Sequence, residues 1–201
     1  MKGVITKVKH CIVLVILACV LFVSIGIAED AERFVFRNGI TWGMSPEEVR
    51  NLESVKLATV GGNEDPDYSG LMTVDVAVSK YEANLGYDFK NDQLFMCSYT
   101  FQDGYQETYQ VLDYLYGALS LKYGEGLETT FETLDYVANI VYGKYAHIPK
   151  YRLSGRIYLF TYVDGTDIYL CCDSKSSVVC VYYFNESLFE ELYGLYNTDG
   201  L

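Results

Sequence analysis

The stretch IYLFTYVDGTDIYLCC, residues 157–172, decides the fold. Two apolar runs, Ile157 to Val163 and Ile168 to Cys172, flank Asp164-Gly165. That dipeptide suits a two-residue type I′ hairpin turn, whose central residues need positive φ. With such a turn, Ile157, Leu159, Val163, Ile168, Leu170 and Cys172 share one face. Tyr158, Phe160, Tyr162 and Tyr169 share the other. Val178 to Phe184 reads as a third strand. Keeping Leu170 with Val181 and Cys172 with Val179 requires paired numbers that sum to 351. That register leaves 174–177 as a loop, sets Cys171 opposite Cys180, and adds Tyr182 and Phe184 to the aromatic side. A slip of one residue would exchange the faces.

Working outward, Asn185 can cap a last helix carrying Leu188, Phe189, Leu192 and Leu195. Residues 129–142 fit a helix or a strand equally well. Upstream, Tyr109, Leu112, Leu115, Tyr116, Leu119 and Tyr123 fall at helical spacing, with Asp103 as a cap and Gly124 as a stop. Before that lies a β-meander: Met72, Val74, Val76 and Val78 alternate, as do Leu85, Tyr87 and Phe89. Asn91-Asp92 then turns the chain back into Leu94 to Phe101. Residues 60–70 read as an acidic, Gly-containing loop without the ordered ligand alternation of a calcium loop.

Ser45-Pro46-Glu47-Glu48 is the firmest helix start. Ser45 is the N-cap, Pro46 sits at N1, and Glu48 at N3 closes a capping box. Met44 and Val49 stand at the positions of a hydrophobic staple, and the helix should end near Glu53. The order is helix, three strands, helix, an undetermined segment, three strands, helix. This predicts an α+β fold with about three helices on antiparallel sheet, and leaves open two related halves, 34–124 and 125–201.

The first 28 of the 201 residues read as a secretory signal peptide. Lys2, Lys7 and Lys9 precede an apolar run from Cys11 to Ile27, and Gly26 and Ala28 supply small residues for cleavage after Ala28. An uncleaved anchor is the alternative, since 17 apolar residues reach the lower edge of a membrane span. Cys19 follows Ile16-Leu17-Ala18, but apolar residues continue beyond it, unlike a lipoprotein site. Residues 29–201 are then one domain with 12 basic and 27 acidic residues, a formal charge of −15. Nucleic acid and anionic membrane surfaces repel such a chain. The membrane is met only transiently, through the signal segment.

Trp42-Gly43-Met44-Ser45 through Val49, with Tyr87-Asp88-Phe89, Leu94 and Lys122-Tyr123-Gly124, resembles a pattern of uncharacterised small exported proteins of Gram-positive bacteria. The spacing Gly43, Ser45, Val49 is also similar to the first helix of SmpA/OmlA-type assembly lipoproteins and of β-lactamase-inhibitor-like domains. The resemblance covers about a quarter of the chain. It implies a binding module with helices packed on an antiparallel sheet. The chain lacks the lipobox of the lipoprotein members, so their anchorage does not carry over.

Chemistry-bearing patterns are sparse. Beyond the signal, His147 is the one histidine, too few for a multi-His zinc site. There is no nucleophile elbow and no phosphate-binding glycine loop. No cofactor or metal is therefore expected. Cys97, Cys171, Cys172 and Cys180 remain in the exported chain; they are either buried thiols or, for Cys171 with Cys180, a candidate disulfide. The leading function is a non-enzymatic extracytoplasmic binding domain for a protein or peptide of the envelope or exterior. Its expected surface is Tyr158, Phe160, Tyr162, Tyr169 and Tyr182, because rings with polar tips suit interfaces. A cell-envelope hydrolase with paired carboxylates and a structural accessory protein are the alternatives.

Overall fold

The computed structural model describes residues 32–60, 67–102, 108–130, 156–173 and 177–194. A 3-10 turn, Arg37–Gly39, precedes α1 (Pro46–Leu52), β1 (Ala58–Val60), β2 (Tyr68–Val78), β3 (Tyr81–Lys90) and β4 (Gln93–Gln102). Then follow α2 (Thr108–Tyr123), β5 (Leu127–Glu128), β6 (Ile157–Thr161), β7 (Thr166–Asp173), β8 (Val178–Asn185) and α3 (Glu186–Tyr193). The strands form one eight-stranded antiparallel sheet in the order β1-β2-β3-β4-β8-β7-β6-β5. The expected α+β architecture is present. Among the described elements a helix followed by four strands occurs twice, with the last strands β4 and β8 paired at the centre.

Local chemistry explains the element ends. The Glu48 N–H donates to Ser45 Oγ at 3.3 Å, and the Ser45 N–H donates to Glu48 Oε2 at 2.8 Å, so the capping box is formed. Asn91 (φ 50°) and Asp92 (φ 59°) make the two-residue turn between the paired Lys90 and Gln93. Gly124, at φ +88°, donates to the Ser120 carbonyl at 3.1 Å and stops α2. The Asn185 side chain accepts from the Leu188 N–H at 2.9 Å and opens α3. Asp103, Leu195 and residues 131–142 lie outside the described residues.

Two registers differ from expectation, each through one extra residue. The β6–β7 hairpin has a three-residue loop, Val163-Asp164-Gly165, not a two-residue turn. The Gly165 N–H donates to the Tyr162 carbonyl at 3.0 Å, the Tyr162 N–H to the Thr166 carbonyl at 2.8 Å, and Gly165 has φ +82°. This is a type I turn closed by a left-handed glycine bulge. Its paired numbers, such as Ile157↔Cys171 and Phe160↔Ile168, sum to 328; a two-residue loop gives 329. The slip sends Tyr158 and Phe160 to the face of Ile168, Leu170 and Cys172, and Ile157 and Leu159 to the face of Tyr169 and Cys171. The β7–β8 register is the expected one, with Leu170↔Val181, Cys171↔Cys180 and Cys172↔Val179. In β2 a bulge lies between Thr73 and Val76, where Asp75 takes φ 59°. Leu71 and Val76 therefore turn inward, and Met72 and Val74 turn out.

The sheet is covered on two sides. On the front face, Val49 of α1 packs with Leu71, Leu85, Tyr87, Phe89 and Cys97. On the same face, Val111, Leu112, Leu115 and Leu119 of α2 pack with Phe160, Ile168, Leu170, Val179 and Val181. Both groups meet at Phe36, Trp42, Tyr99 and Tyr183. On the back face, Phe189 of α3 packs against Phe95 and Phe184, with ring centroids 5.6 and 5.2 Å away. Tyr109, expected in the core of α2, is exposed, because Thr108 and Val111 take the inward positions.

Gly126 shows how tight the front face is. A Cβ placed there would lie 2.5 Å from Phe160 Cζ, and that ring is wedged under Tyr116 at 5.8 Å. Gly126→Ala is expected to cost about 1–3 kcal/mol through overpacking, read as a lower urea midpoint. Ser45→Ala should cost on the order of 1 kcal/mol in the same assay, since it removes the N-cap acceptor. An unmoved midpoint in either variant contradicts the packing or the cap.

Candidate functional site

The five aromatic residues expected to share one binding surface are divided between two faces. Tyr158, Phe160 and Tyr162 lie on the front face and Tyr169 and Tyr182 on the back, as the hairpin loop dictates. Phe160 is 2% exposed and Tyr169 3% exposed. Tyr158 packs on Tyr116 of α2 at 4.6 Å, and Tyr162 meets Phe34 and Tyr123, each at 5.8 Å. No continuous aromatic surface forms from this set. Tyr182 remains half-buried on the back face.

The front face carries an N-terminal strap. The Phe34 N–H donates to Asp164 Oδ2 at 2.6 Å, and Trp42 Nε1 donates to Thr166 Oγ1 at 2.8 Å. Phe34 stacks on Trp42 at 5.3 Å, and Phe36 meets Tyr87, Tyr99 and Tyr183 at 6.0, 5.4 and 5.0 Å. Beside it lies a buried acid, Glu53, at the end of α1. Tyr87 Oη donates to Glu53 Oε1, and Asn38 Nδ2 donates to Oε2 at 3.1 Å. Arg37 Nε stands 3.0 Å from Oε1 as an ion pair, without hydrogen-bond alignment. Burial first, then the bond to Glu53, pushes the Tyr87 phenol pKa far up. Both carboxylate oxygens are engaged, so this cluster fastens the strap to the end of α1.

The back face differs between its two ends. Over β4, β7 and β8, α3 covers Phe95, Met96, Tyr169, Cys171 and Phe184. α3 also reaches the end of β2 and β3, where Tyr68 joins the same cluster and Lys90 Nζ lies 5.1 Å over the Tyr193 ring; over β1 and the rest of β2 and β3, no described helix packs on this face. On this face small and polar residues stand opposite one another, Gly70 with Asp88, Gly86 with Ser98 and Asn84 with Thr100. Gly86 is small for a reason: a Cβ there would lie 2.7 Å from Ser98 Oγ. The outer rim is apolar and open, with Val60 46% exposed, Met72 40% and Val74 56%. Nothing in the alternation of β2 pointed to these residues as surface, because the bulge at Asp75 reverses them.

Three acidic residues bear on the paired-carboxylate alternative. Asp88 is buried on the back face and accepts from Tyr68 Oη; burial lifts its carboxyl to about 6, against the bond from Tyr68, which lowers it. Asp167 is raised chiefly by burial, and Glu186 by burial and then by the charge of Asp167. Asp167 is held by Thr161 Oγ1 at 3.2 Å, and Glu186 opens α3, where its charge meets the helix N-terminus. Among the described residues, no group of three or more His, Cys, Asp or Glu is placed to hold a metal ion. His147 lies outside the described residues. Comparison with family models, with curated proteins and with solved structures finds no match to this chain.

Asp88 gives a pH test. Its folded pKa stands above the ordinary value of 3.8, so between about pH 4 and 6 the folded chain holds a proton that the unfolded chain has released. Stability from this group is full below pH 4 and falls as pH rises through 6. Asp88→Asn keeps an acceptor for Tyr68 and removes the buried charge. It should match wild type at pH 3.5 and be about 3 kcal/mol more stable at pH 7.5, by chemical denaturation at both pH values. Equal stability at pH 7.5 contradicts the assignment.

Proposed function

We propose that the exported chain is an extracytoplasmic, non-enzymatic binding module whose ligand is a protein or peptide. The observation that carries this reading is the rim of Val60, Met72 and Val74 on the part of the sheet that no described helix overlies. Three large apolar side chains on adjoining strands are more than the scattered exposure that any surface carries, and contiguous apolar area is used for contact with partners. The layout of helices on one antiparallel sheet is also what the resemblance to assembly lipoproteins and β-lactamase-inhibitor-like modules implies.

The charge favours a protein over an anionic polymer. A formal −15 on residues 29–201 repels nucleic acid and acidic lipid, and supports solubility outside the cell. Export rests on the residues 1–28, which lie outside the described ones. No helix among the described residues is long and apolar enough to cross a membrane.

The test uses a paired capture. The chain 29–201 and its Met72→Asp/Val74→Asp variant are immobilised and exposed to the same envelope extract. A partner seen by mass spectrometry with wild type should fall at least tenfold with the variant, while the unfolding midpoint shifts little, because both side chains are already in water. Equal capture by both forms means the rim is not the contact surface.

A further inference from the structure

Four cysteines lie in the described residues, and two of them face one another. Cys171 on β7 and Cys180 on β8 are directly opposed, and both are thiols in the structure. Cys172 points to the other face, packed among Leu170, Val179 and Val181, and Cys97 lies on β4 opposite Tyr183. The main-chain ladder fixes what kind of pair Cys171 and Cys180 make. The Tyr162 N–H bonds the Thr166 carbonyl and the Cys172 N–H bonds the Arg156 carbonyl, so the even-numbered residues of β7 direct their main chain at β6. The odd-numbered residues, Cys171 among them, direct theirs at β8. Cys171 and Cys180 are thus a hydrogen-bonded pair. The Cα atoms of such a pair are about 5.5 Å apart, inside the range a disulfide spans. Its Cβ atoms are about 5 Å apart or more, beyond the 3.5–4.5 Å that the bond requires. A bond here is within reach but has to draw the two strands together, and strained disulfides of this kind are the easily reduced ones.

The two thiols are also unequal. Cys171 is buried, and burial first and then the neighbouring Cys180 push its pKa up. Cys180 is half-buried, and its thiol donates to Thr100 Oγ1 at 3.8 Å, a hydroxyl that can turn to donate once the thiolate forms. One thiol can therefore meet a reagent from solvent, and the other stands behind it to resolve the product.

We propose that Cys171 and Cys180 form a labile redox-responsive pair, closed by a small-molecule disulfide and reopened by thiols, while Cys97 and Cys172 stay reduced. In the first step the Cys180 thiolate attacks one sulfur of the disulfide RSSR; a bond forms from Cys180 to that sulfur, and RS⁻ leaves. Cys171 then gives up its proton, attacks the Cys180 sulfur, and expels the second RS⁻. Two protein thiols are oxidised to one disulfide, and RSSR is reduced to two RSH, which take up the two protons released. This pair is independent of the binding reading above.

The test is thiol counting on the intact exported chain, by alkylation under denaturing conditions and mass spectrometry. Isolated without oxidant, the chain should carry four alkylated thiols. After excess oxidised glutathione it should carry two, with a mass loss of about 2 Da before alkylation and no added glutathione, and reduced glutathione should restore four. Cys172→Ser should behave as wild type. Cys171→Ser should stop at glutathione bound to Cys180. Fragmentation of the oxidised wild-type chain gives the same assignment if a variant fails to fold. Four thiols after oxidant, glutathione persisting on wild-type Cys180, a bond to Cys172, or a bond that resists excess reduced glutathione would each overturn the proposal.

Discussion

The pairing of β4 with β8 is the contact on which the rest of the molecule depends. Seven residue pairs, from Met96↔Phe184 to Gln102↔Val178, join two four-stranded units into one sheet. A strand at the centre of so wide a sheet has both faces away from the edge, so both must be covered. The residues comply: Cys97, Tyr99 and Phe101 meet Tyr183, Val181 and Val179 on the front, and Met96 meets Phe184 on the back. The helices follow from this demand. α1 and α2 cover the front from either side of the junction, and α3 returns to seal Met96 and Phe184 from behind.

Two helices placed on either side of a junction leave a gap between them, and the strap fills it. Phe36 sits over Tyr87, Tyr99 and Tyr183, which belong to both units. The strap is tied to the second unit through Asp164 and Thr166, and to the first through Arg37 and Glu53. The Phe34 N–H, Trp42 Nε1 and Asn38 Nδ2 each donate to a partner on the sheet or on α1, as burial of a polar group favours, and the Arg37 guanidinium is met by the charge of Glu53. The strap thus acts as a bridge across the joint, and its aromatic rings contribute contact area on both sides at once.

What could be read from sequence was what is decided within a few residues. The Ser45–Glu48 box involves partners three residues apart, and Asn91-Asp92 sits in a turn that tolerates nothing longer. The Cys171–Cys180 register followed from matching apolar faces on neighbouring strands. Asp164-Gly165 misled because the same dipeptide fits a two-residue and a three-residue loop. The choice is made by Asp164, whose carboxylate bonds the Thr166 N–H at 3.0 Å and the Phe34 N–H 130 positions away. Asp75 misled in the same manner, since a left-handed aspartate leaves no trace in a hydrophobic alternation. One displaced residue in each case exchanged faces: Tyr158 and Phe160 of β6, expected on the binding surface, went under α2, and Met72 and Val74 of β2 turned out.

Among the described residues, the two ends of the sheet are its shortest strands, β1 with three residues and β5 with two. A sheet edge is a template on which another chain can add, and an aggregation nucleus needs a long, flat stretch of it. Neither edge strand offers one, and behind β1 the bulge at Asp75 twists β2 and places a carboxylate beside the exposed valine. With the formal charge of −12 on the whole chain, these short margins give a second copy little to pair with.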